Sequence, residues 1–425
     1  MLYLERVMAV FEKEDVQATA IGKLVTERRL QLNYNGERVA DMDMTFLFNP
    51  CKSMKVATIE KQSLTEPEFA EPENLTETLL QLLSAPNIAS KESVIRTYDH
   101  EVKGNTTLKP LQGDYAGPND AAVLKPLDDS LKGLTISCGM NPNYGKIDAY
   151  WMAASAIDEA VRNNVAVGGR RIALLDNFTW GNPEKPERLG SLVRACEACY
   201  DFSVAFKAPF ISGKDSLYNE SPLGPVTPTL LITAVGVIPN IQSTTSMDLK
   251  APDNLLYIVG ETFNELGGSE YYKLKGFLGA SVPKVRGAKA KRTFKAVTKA
   301  IDEGMVKSCH DLSEGGLAVA AAEMAFAGGY GLELDLRKVP GKELVRNDFV
   351  LFSESNSRFL IEVAQADSED FEDLMKGKGY ALIGKVTKEQ KLIVHGLNGK
   401  VVVDATLESL RRSWKQTLSP EEAPQ

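Results

Sequence analysis

Between Asp148 and Gly181 the spacing of apolar positions changes once. Ala153, Ala154, Ala156, Ile157, Ala160 and Val161 recur at three- and four-residue steps, which predicts a helix with one apolar stripe. Gly168-Gly169 ends it. The run Arg171–Leu175 then reads as a buried strand that delivers Asp176 and Asn177 at its end. Upstream, Leu79–Leu83 with Asn87–Ser90 opens the domain, and Ala121–Lys125 and Leu134–Cys138 are short strands. Downstream, Glu187–Tyr200 is a second amphipathic helix, and Pro209–Ser212 leads into Gly213-Lys214-Asp215-Ser216. The character shifts at Pro228. Thr229–Val237 and Asn254–Gly260 are continuous apolar runs, Arg292–Glu303 and Leu317–Ala327 are helices, and strands with a further helix run from Arg358 past Val403. Such alternation predicts an α/β or α+β architecture.

The start of the chain echoes its end. Ile21-Gly22-Lys23 matches Ile383-Gly384-Lys385, Asn35-Gly36 matches Asn398-Gly399, and Asp41 matches Asp404. Each Asn-Gly sits between alternating stretches, as in a two-residue hairpin turn. Leu4–Met8 likewise echoes Asn356–Leu360. A repeat of this spacing is a duplicated domain rather than a solenoid. The later copy follows a long stretch of its own domain, whereas the earlier has three residues before it. Residues 1–50 are therefore expected to be the tail of a domain whose front is missing. A start inside a strand would leave unpaired edges and an incomplete core, so this tail is expected to need a partner or to be poorly ordered.

Composition narrows the classes. The 425 residues allow two or three domains, and 43% hydrophobic with 25% charged residues is globular. A net charge of −8 argues against a basic nucleic-acid surface. No apolar run reaches transmembrane length and no secretory signal follows Met1. Five scattered cysteines suit a reducing cytoplasm. Cys196 and Cys199 form a CxxC without a second pair or a nearby histidine, which favours packing thiols over zinc. Residues 51–80, rich in Glu, Pro, Thr and Lys, read as a solvated linker, and 418–425 as a disordered tail.

Four stretches could carry chemistry. Glu159 and Asn163, four apart on one helix face, offer two oxygens to a hard cation, or are simply a surface glutamate and a capping asparagine. Asp120 is followed at once by small residues, which leaves room for a phosphate, though a plain turn is the commoner case. In HDLSEGG, 310–316, Ser313 is a natural N-cap and the glycines expose N–H groups to an anion, with Asp311 beside them for a metal; a plain capped helix is the alternative. GKDS, 213–216, mimics the tail of a P-loop, but Ala208 stands where the earlier glycine belongs. With three histidines and no GxSxG or GxGxxG, a histidine-rich metal site is excluded, and any acid–base work falls mostly to carboxylates and lysines.

The runs 173–220 (ALLDNFTWG through SGKDSLYNE), 87–106 (NIASKESVIRTYDHEVKGNT), 310–325 and 351–360 together resemble phosphoribosylformylglycinamidine synthase, in that family's order and over nearly the whole chain. The chain looks like the second half of its synthetase subunit. The resemblance implies an α+β fold of the aminoimidazole ribonucleotide synthetase-like superfamily, with two homologous halves about a pseudo-twofold axis. It puts a second A domain at 81–228 and a second B domain at 229–417. It implies an ATP-dependent carbon–nitrogen ligase of purine biosynthesis, in which ATP phosphorylates the formamide oxygen of formylglycinamide ribonucleotide and ammonia from glutamine displaces phosphate. Partners would be the N-terminal half, a separate glutaminase subunit and a small bridging subunit. By carry-over, Asp120, Glu159, Asn163 and Asp311 hold Mg²⁺, Ser313 contacts the nucleotide there, Asp176 and Gly213 contact the reacting ATP, and Ser216 contacts the ribonucleotide. Lys214 departs from the small-subunit form, where a metal-binding asparagine is usual, which leaves Asp215 as the candidate ligand. The family's catalytic histidine linker and its main substrate-phosphate motif belong to the first half, so this portion alone is expected to be inactive. Related readings are an auxiliary, non-catalytic nucleotide-binding half and aminoimidazole ribonucleotide synthetase; GNPEKPE and ISGKDSLYNE speak against the latter.

Overall fold

The computed structural model describes residues 3–49, 54–59, 63–98 and 100–418; the expected tail at 418–425 lies almost entirely outside them. Two compact units are present, Met1–Lys55 and Val56–Gln425. In the first, α1 (Leu4–Lys13) precedes a hairpin of β1 (Arg29–Tyr34) and β2 (Glu37–Asp43), followed by α2 (Met44–Phe48). Asn35 and Gly36 turn the hairpin at φ 50° and 84°, the pair of positive values that a type I′ turn requires. The same order of strand, strand and helix recurs at Lys391–His395, Val401–Thr406 and Leu407–Lys415. In both copies the matched aspartate lies on the second strand and receives a cation from the first: Arg29 reaches Asp41 at 2.6 Å, and Lys391 reaches Asp404 at 3.0 Å.

Two details of the repeat are corrected. Asn398-Gly399 is not a two-residue turn, because five residues, 396–400, join its strands. Leu4–Met8 is helical, whereas its counterpart enters a strand at Phe359, so the described residues do not begin in a strand. LERVMAVFEK has an apolar residue every three or four positions, and with no neighbouring strand to pair with, its own hydrogen bonds win. No described residue between 3 and 49 is buried. Tyr34, Phe46 and Phe48 are each about 70% exposed, as an incomplete core requires.

Residues 63–74 lack helix and strand, as their composition predicts, yet they are fastened down. Phe69 stacks on Phe277 at 5.4 Å and lies under the guanidinium of Arg346 at 4.7 Å. Asn347 donates to Glu71 at 2.7 Å. The expected linker also ends early, since α3 (Leu75–Leu83) starts within it, capped by Asn74. Leu75, Leu79, Leu82 and Leu83 are buried, each worth roughly 1.5–3 kcal/mol. A polar average hid the few apolar anchors that decide the path.

Two sheets follow. The first comprises β3 (Thr106–Leu108), β4 (Ala122–Leu124), β5 (Gly133–Gly139), β6 (Arg170–Thr179), β7 (Phe210–Gly213) and β8 (Thr229–Ile238), in the order β3-β4-β5-β8-β6-β7. Only β6 and β7 run parallel. β8 lies between β5 and β6, so this domain ends after Ile238 and not at the expected 228. A long apolar run cannot by itself tell which sheet it will join. The second sheet comprises β9 (Leu255–Val259), β10 (Val306–Asp311), β11 (Gly331–Asp335), β12 (Phe359–Val363), β13 (Tyr380–Thr387), β14 (Lys391–His395) and β15 (Val401–Thr406), ordered β10-β12-β9-β13-β11-β14-β15.

Helix α4 (Ala149–Ala166) packs on the first sheet, flanked by α5 (Pro186–Phe206) and by α6 (Gly287–Asp302). Fifteen of its 18 residues are buried, so the single stripe expected of it is wrong. It is covered on nearly all sides, and its polar residues there are paired. β9 is a continuous apolar run because both faces are covered. Leu256 and Ile258 join the core around α3, α7 (Gly316–Gly328) and α8 (Leu407–Lys415), whereas Tyr257 and Val259 join the core around α4 and α6. Among the described residues no helix is long and apolar enough to cross a membrane.

Candidate functional site

Four elements meet where the two sheet layers join: the end of β5, the middle of α4, the end of β10 and the loop before α7. Glu159 and Asn163 lie on one face of α4, as their spacing predicted, and both turn to the end of β5. Glu159 accepts from Met140 N at 3.2 Å and from the Asn141 amide. Asn163 donates to Cys138 O at 3.1 Å, and its own Oδ1 is buried without a donor. Gly139 makes this approach feasible, because a Cβ there would stand 2.3 Å from Ala156 O.

β10 supplies His310 and Asp311, and the turn before β4 supplies Asp120. Asp120 accepts from Asp311 N at 2.8 Å and faces His310 Nδ1 at 3.1 Å, while His310 Nε2 faces Glu323 at 3.1 Å. Ligand atoms of Asp120, His310 and Asp311 lie within 4.8 Å of one another. Burial opposes charging of His310, but Asp120 and Glu323 on its two sides overcome it and hold the imidazole well above its ordinary pKa. Burial raises Asp120, with His310 pulling the other way. Burial and then Glu314 hold Glu159 well above the carboxylate range. Glu314 itself is pushed up to about 7, mainly by burial. Carboxylates whose charge burial opposes gain most from a divalent cation beside them. The donor set is hard oxygen with one orphaned amide oxygen, which fits Mg²⁺; His310, spent on Asp120 and Glu323, would orient a ligand rather than be one.

The loop before α7 does not work as its sequence suggested. Ser313 is not the N-cap; that position is Gly315, at φ 76°. Nor do the glycines offer their N–H groups to an anion. Gly315 N donates to Glu354 at 2.9 Å, and Gly316 N to Ser313 O at 3.0 Å. Gly316, at φ 63°, turns too tightly to leave room for a side chain: a Cβ would meet Ser353 O at 2.4 Å. Ser313 instead gives its hydroxyl proton to Asp311 Oδ2 and accepts from Arg162 Nη2 at 2.7 Å.

A second group lies at the other edge of the first sheet. Gly139, Ile232, Asp176 and Gly213 are register partners across β5, β8, β6 and β7, which puts two strand spacings, roughly 10 Å, between Gly139 and Asp176. Asp176 and Asp215 face each other. Burial and then Asp215 raise the pKa of Asp176. Asp215 accepts from Phe178 N at 3.3 Å. A Cβ at Gly213 would stand 2.4 Å from the Asp176 carboxylate. The backbone of Ser216 is tied to Phe178 and Trp180, and its hydroxyl has no partner among the described residues. Asp120, Asp311 and Ser313 are thus joined by hydrogen bonds, Glu159 and Asn163 lie on the helix whose Arg162 reaches Asp311 and Ser313, and Asp176, Gly213, Asp215 and Ser216 lie apart from these on β6, β7 and the loop after it. The CxxC thiols belong to neither as ligands. Cys199 is raised to about 12 by burial, the opposite of an activated thiol.

Sequence reasoning missed Asp158, Arg162, Glu323 and Glu354. Asp158 and Arg162 stand four apart in an otherwise alanine-rich helix, and charges inside so apolar a segment were the available signal.

Residues 118–238 match the N-terminal domain of AIR synthase related proteins, and 251–396 match the C-terminal domain. The first match ends with β8, as the sheet does. The chain is 35% identical to phosphoribosylformylglycinamidine synthase subunit PurL of Thermococcus sibiricus over 96% of this chain and 55% of that protein. It is 37% identical to the subunit of the same name from Ignicoccus hospitalis over 94% of this chain and 55% of that one. The chain thus spans about half the length of the curated relatives it matches. Among solved structures, T. maritima PurL complexed with FGAR superposes with a TM-score of 0.65 at 18% identity, covering 80% of this chain and 54% of that one. The ADP complex of the same protein gives 0.61 at 19% identity, covering 82% and 55%. The fold is α+β, of the AIR synthase-like superfamily.

Proposed function

We propose that this chain is the C-terminal portion of a phosphoribosylformylglycinamidine synthase synthetase subunit, with 1–50 the tail of a first B domain. The reaction is ATP-dependent conversion of formylglycinamide ribonucleotide to the amidine, with ammonia from a separate glutaminase subunit and a small bridging subunit alongside, in the cytoplasm. The observation that supports the reading is the junction where Asp120, Asp311 and Ser313 are hydrogen-bonded together and Arg162 ties them to the helix that carries Glu159 and Asn163. These residue types suit magnesium-bound phosphates, whose charge the metal would neutralise. Asp176, Gly213 and Ser216, with Asp215, form a second group on the same sheet, suited to the reacting ATP and the ribonucleotide.

The need for a first half is supported by what is left uncovered. No described residue of the first unit is buried. In the second unit, the sheet face opposite α4 and α5 carries Ile136, Leu231, Val235 and Ile211, all half-buried or exposed. A homologous half is the natural cover for both. The reading is tested by assaying ATP- and ammonia-dependent amidine formation with the chain alone and after adding purified first half. Product only in the second case is expected; turnover by the chain alone would refute the need for a partner. An auxiliary module would bind Mg²⁺–ADP but never the ribonucleotide, which calorimetry separates.

A further inference from the structure

Arg162 is buried, 2% exposed, and commits four hydrogen bonds. Nε donates to Asp311 Oδ2 at 2.9 Å, Nη1 to Asp158 Oδ2 at 2.5 Å and to Asn356 Oδ1 at 3.3 Å, and Nη2 to Ser313 Oγ at 2.7 Å. It thereby joins α4 of the first sheet layer to β10, to the loop before α7 and to the loop before β12. Asp158 is held in turn by Ser357, whose N donates to it at 2.9 Å and whose backbone is left-handed at φ 62°. A buried network of one cation and two carboxylates is a poor device for stability alone, because desolvation offsets most of the Coulomb gain. Its geometry has a sharper consequence. Arg162 and Ser313 both occupy Oδ2 of Asp311, while Oδ1 has no donor within hydrogen-bond range among the described residues and faces His310 at 3.9 Å. One oxygen of Asp311 is spent and the other is aimed at the Asp120 side.

We propose that Arg162 is the positioning residue of this site: it fixes the Asp311 carboxylate so that a single oxygen faces the magnesium, and fixes Ser313 beside it. The inference rests on the reading of this junction as a magnesium–nucleotide site. A planar fork is needed for it, since Nε and Nη2 reach Asp311 and Ser313 in two fixed directions that a lysine ammonium cannot reproduce.

The test uses the full chain and two readouts, direct Mn²⁺ binding by electron paramagnetic resonance and the Mg²⁺ dependence of ADP binding by calorimetry, with thermal melts alongside. Arg162→Lys should raise both metal midpoints by roughly 10–100-fold, the usual effect of removing a group that orients a ligand. Asp158→Ala removes the acceptor of Arg162 Nη1 without touching Asp311. It should lower the melting temperature yet leave the metal midpoints within about twofold. Unchanged midpoints in a folded Arg162→Lys, or equal shifts in both variants, would overturn the proposal and leave Arg162 a mere fastening. If Arg162→Lys does not fold, Ser313→Ala removes the other donor to the same oxygen and should raise the Mn²⁺ midpoint about threefold; no shift would overturn the proposal. If the parent chain binds neither Mn²⁺ nor Mg²⁺–ADP, the magnesium–nucleotide reading falls and takes this inference with it.

Discussion

Two glycines on one register row should respond to alanine in opposite ways. At Gly139 the added Cβ would lie 2.3 Å from Ala156 O, 2.7 Å from Ala160 N and 2.9 Å from Glu159 Cβ. The two closest atoms are backbone of α4, which is packed on nearly all sides and cannot yield by turning a side chain. Contact is short by about 1 Å, so strand and helix must separate. Overpacking of this kind costs about 3 kcal/mol, at the upper end of its usual range. That is a fall of roughly 3–4 °C in melting temperature for a chain of this size. Glu159 and Arg162 move with the helix, so Mg²⁺–ADP binding should weaken too. At Gly213 the close atoms are the Asp176 carboxylate oxygens, at 2.4 and 2.6 Å. Asp176 is a side chain and can rotate at a cost of roughly 1 kcal/mol. Gly213→Ala should therefore melt within about 2 °C of the parent. In the complex with the first half, it should still lose ATP affinity, because the displaced carboxylate leaves its place beside Asp215. Thermal melts of both variants, with ATP titrations of the reconstituted complex, check this. A Gly139→Ala protein that melts with the parent would refute the claim that α4 is pinned against the end of β5.

Other outcomes are open to simple measurement. Phe69→Ala should cost roughly 2–4 kcal/mol in denaturant unfolding, since the ring packs against four aromatic rings and under Arg346; a loss below about 0.5 kcal/mol would restore the free-linker reading. Burial and the neighbouring Glu314 push Glu354 up to about 8 from 4.5. A raised carboxyl binds its proton more tightly when folded, so its contribution is whole below pH 4.5 and is lost as pH rises through 8. Glu354→Gln can still accept from Gly315 N and Glu270 N on one oxygen, as Oε1 of Glu354 does. It should match the parent at pH 5 and exceed it at pH 9 by a few kcal/mol, on the order of the shift; parallel pH–stability curves would contradict this. Mg²⁺–ADP at about 100 times its dissociation constant should stabilise the chain by roughly 2.7 kcal/mol, and chelation of the metal should remove that gain.

What the sequence determined by itself is local. Apolar patterning placed α4, the apolar run of β8 and the helix read at 317–327, because backbone hydrogen bonding and residue propensity act over a few residues. The repeat of strand, strand and helix was legible because the same local choices recur around Asp41 and Asp404. Oxygen-bearing residues of the site were legible by type and by resemblance. Only the tertiary structure decided which sheet received β8, since an apolar run fits any covered position. It alone turned the glycines before α7 away from an anion, because Glu354, 39 residues beyond Gly315, reaches back to take that N–H group. It alone gave Arg162 its partners beyond the helix, Asp311, Ser313 and Asn356, which come from two distant stretches of chain. The meaning of a buried charge lies in what it faces, and packing sets that.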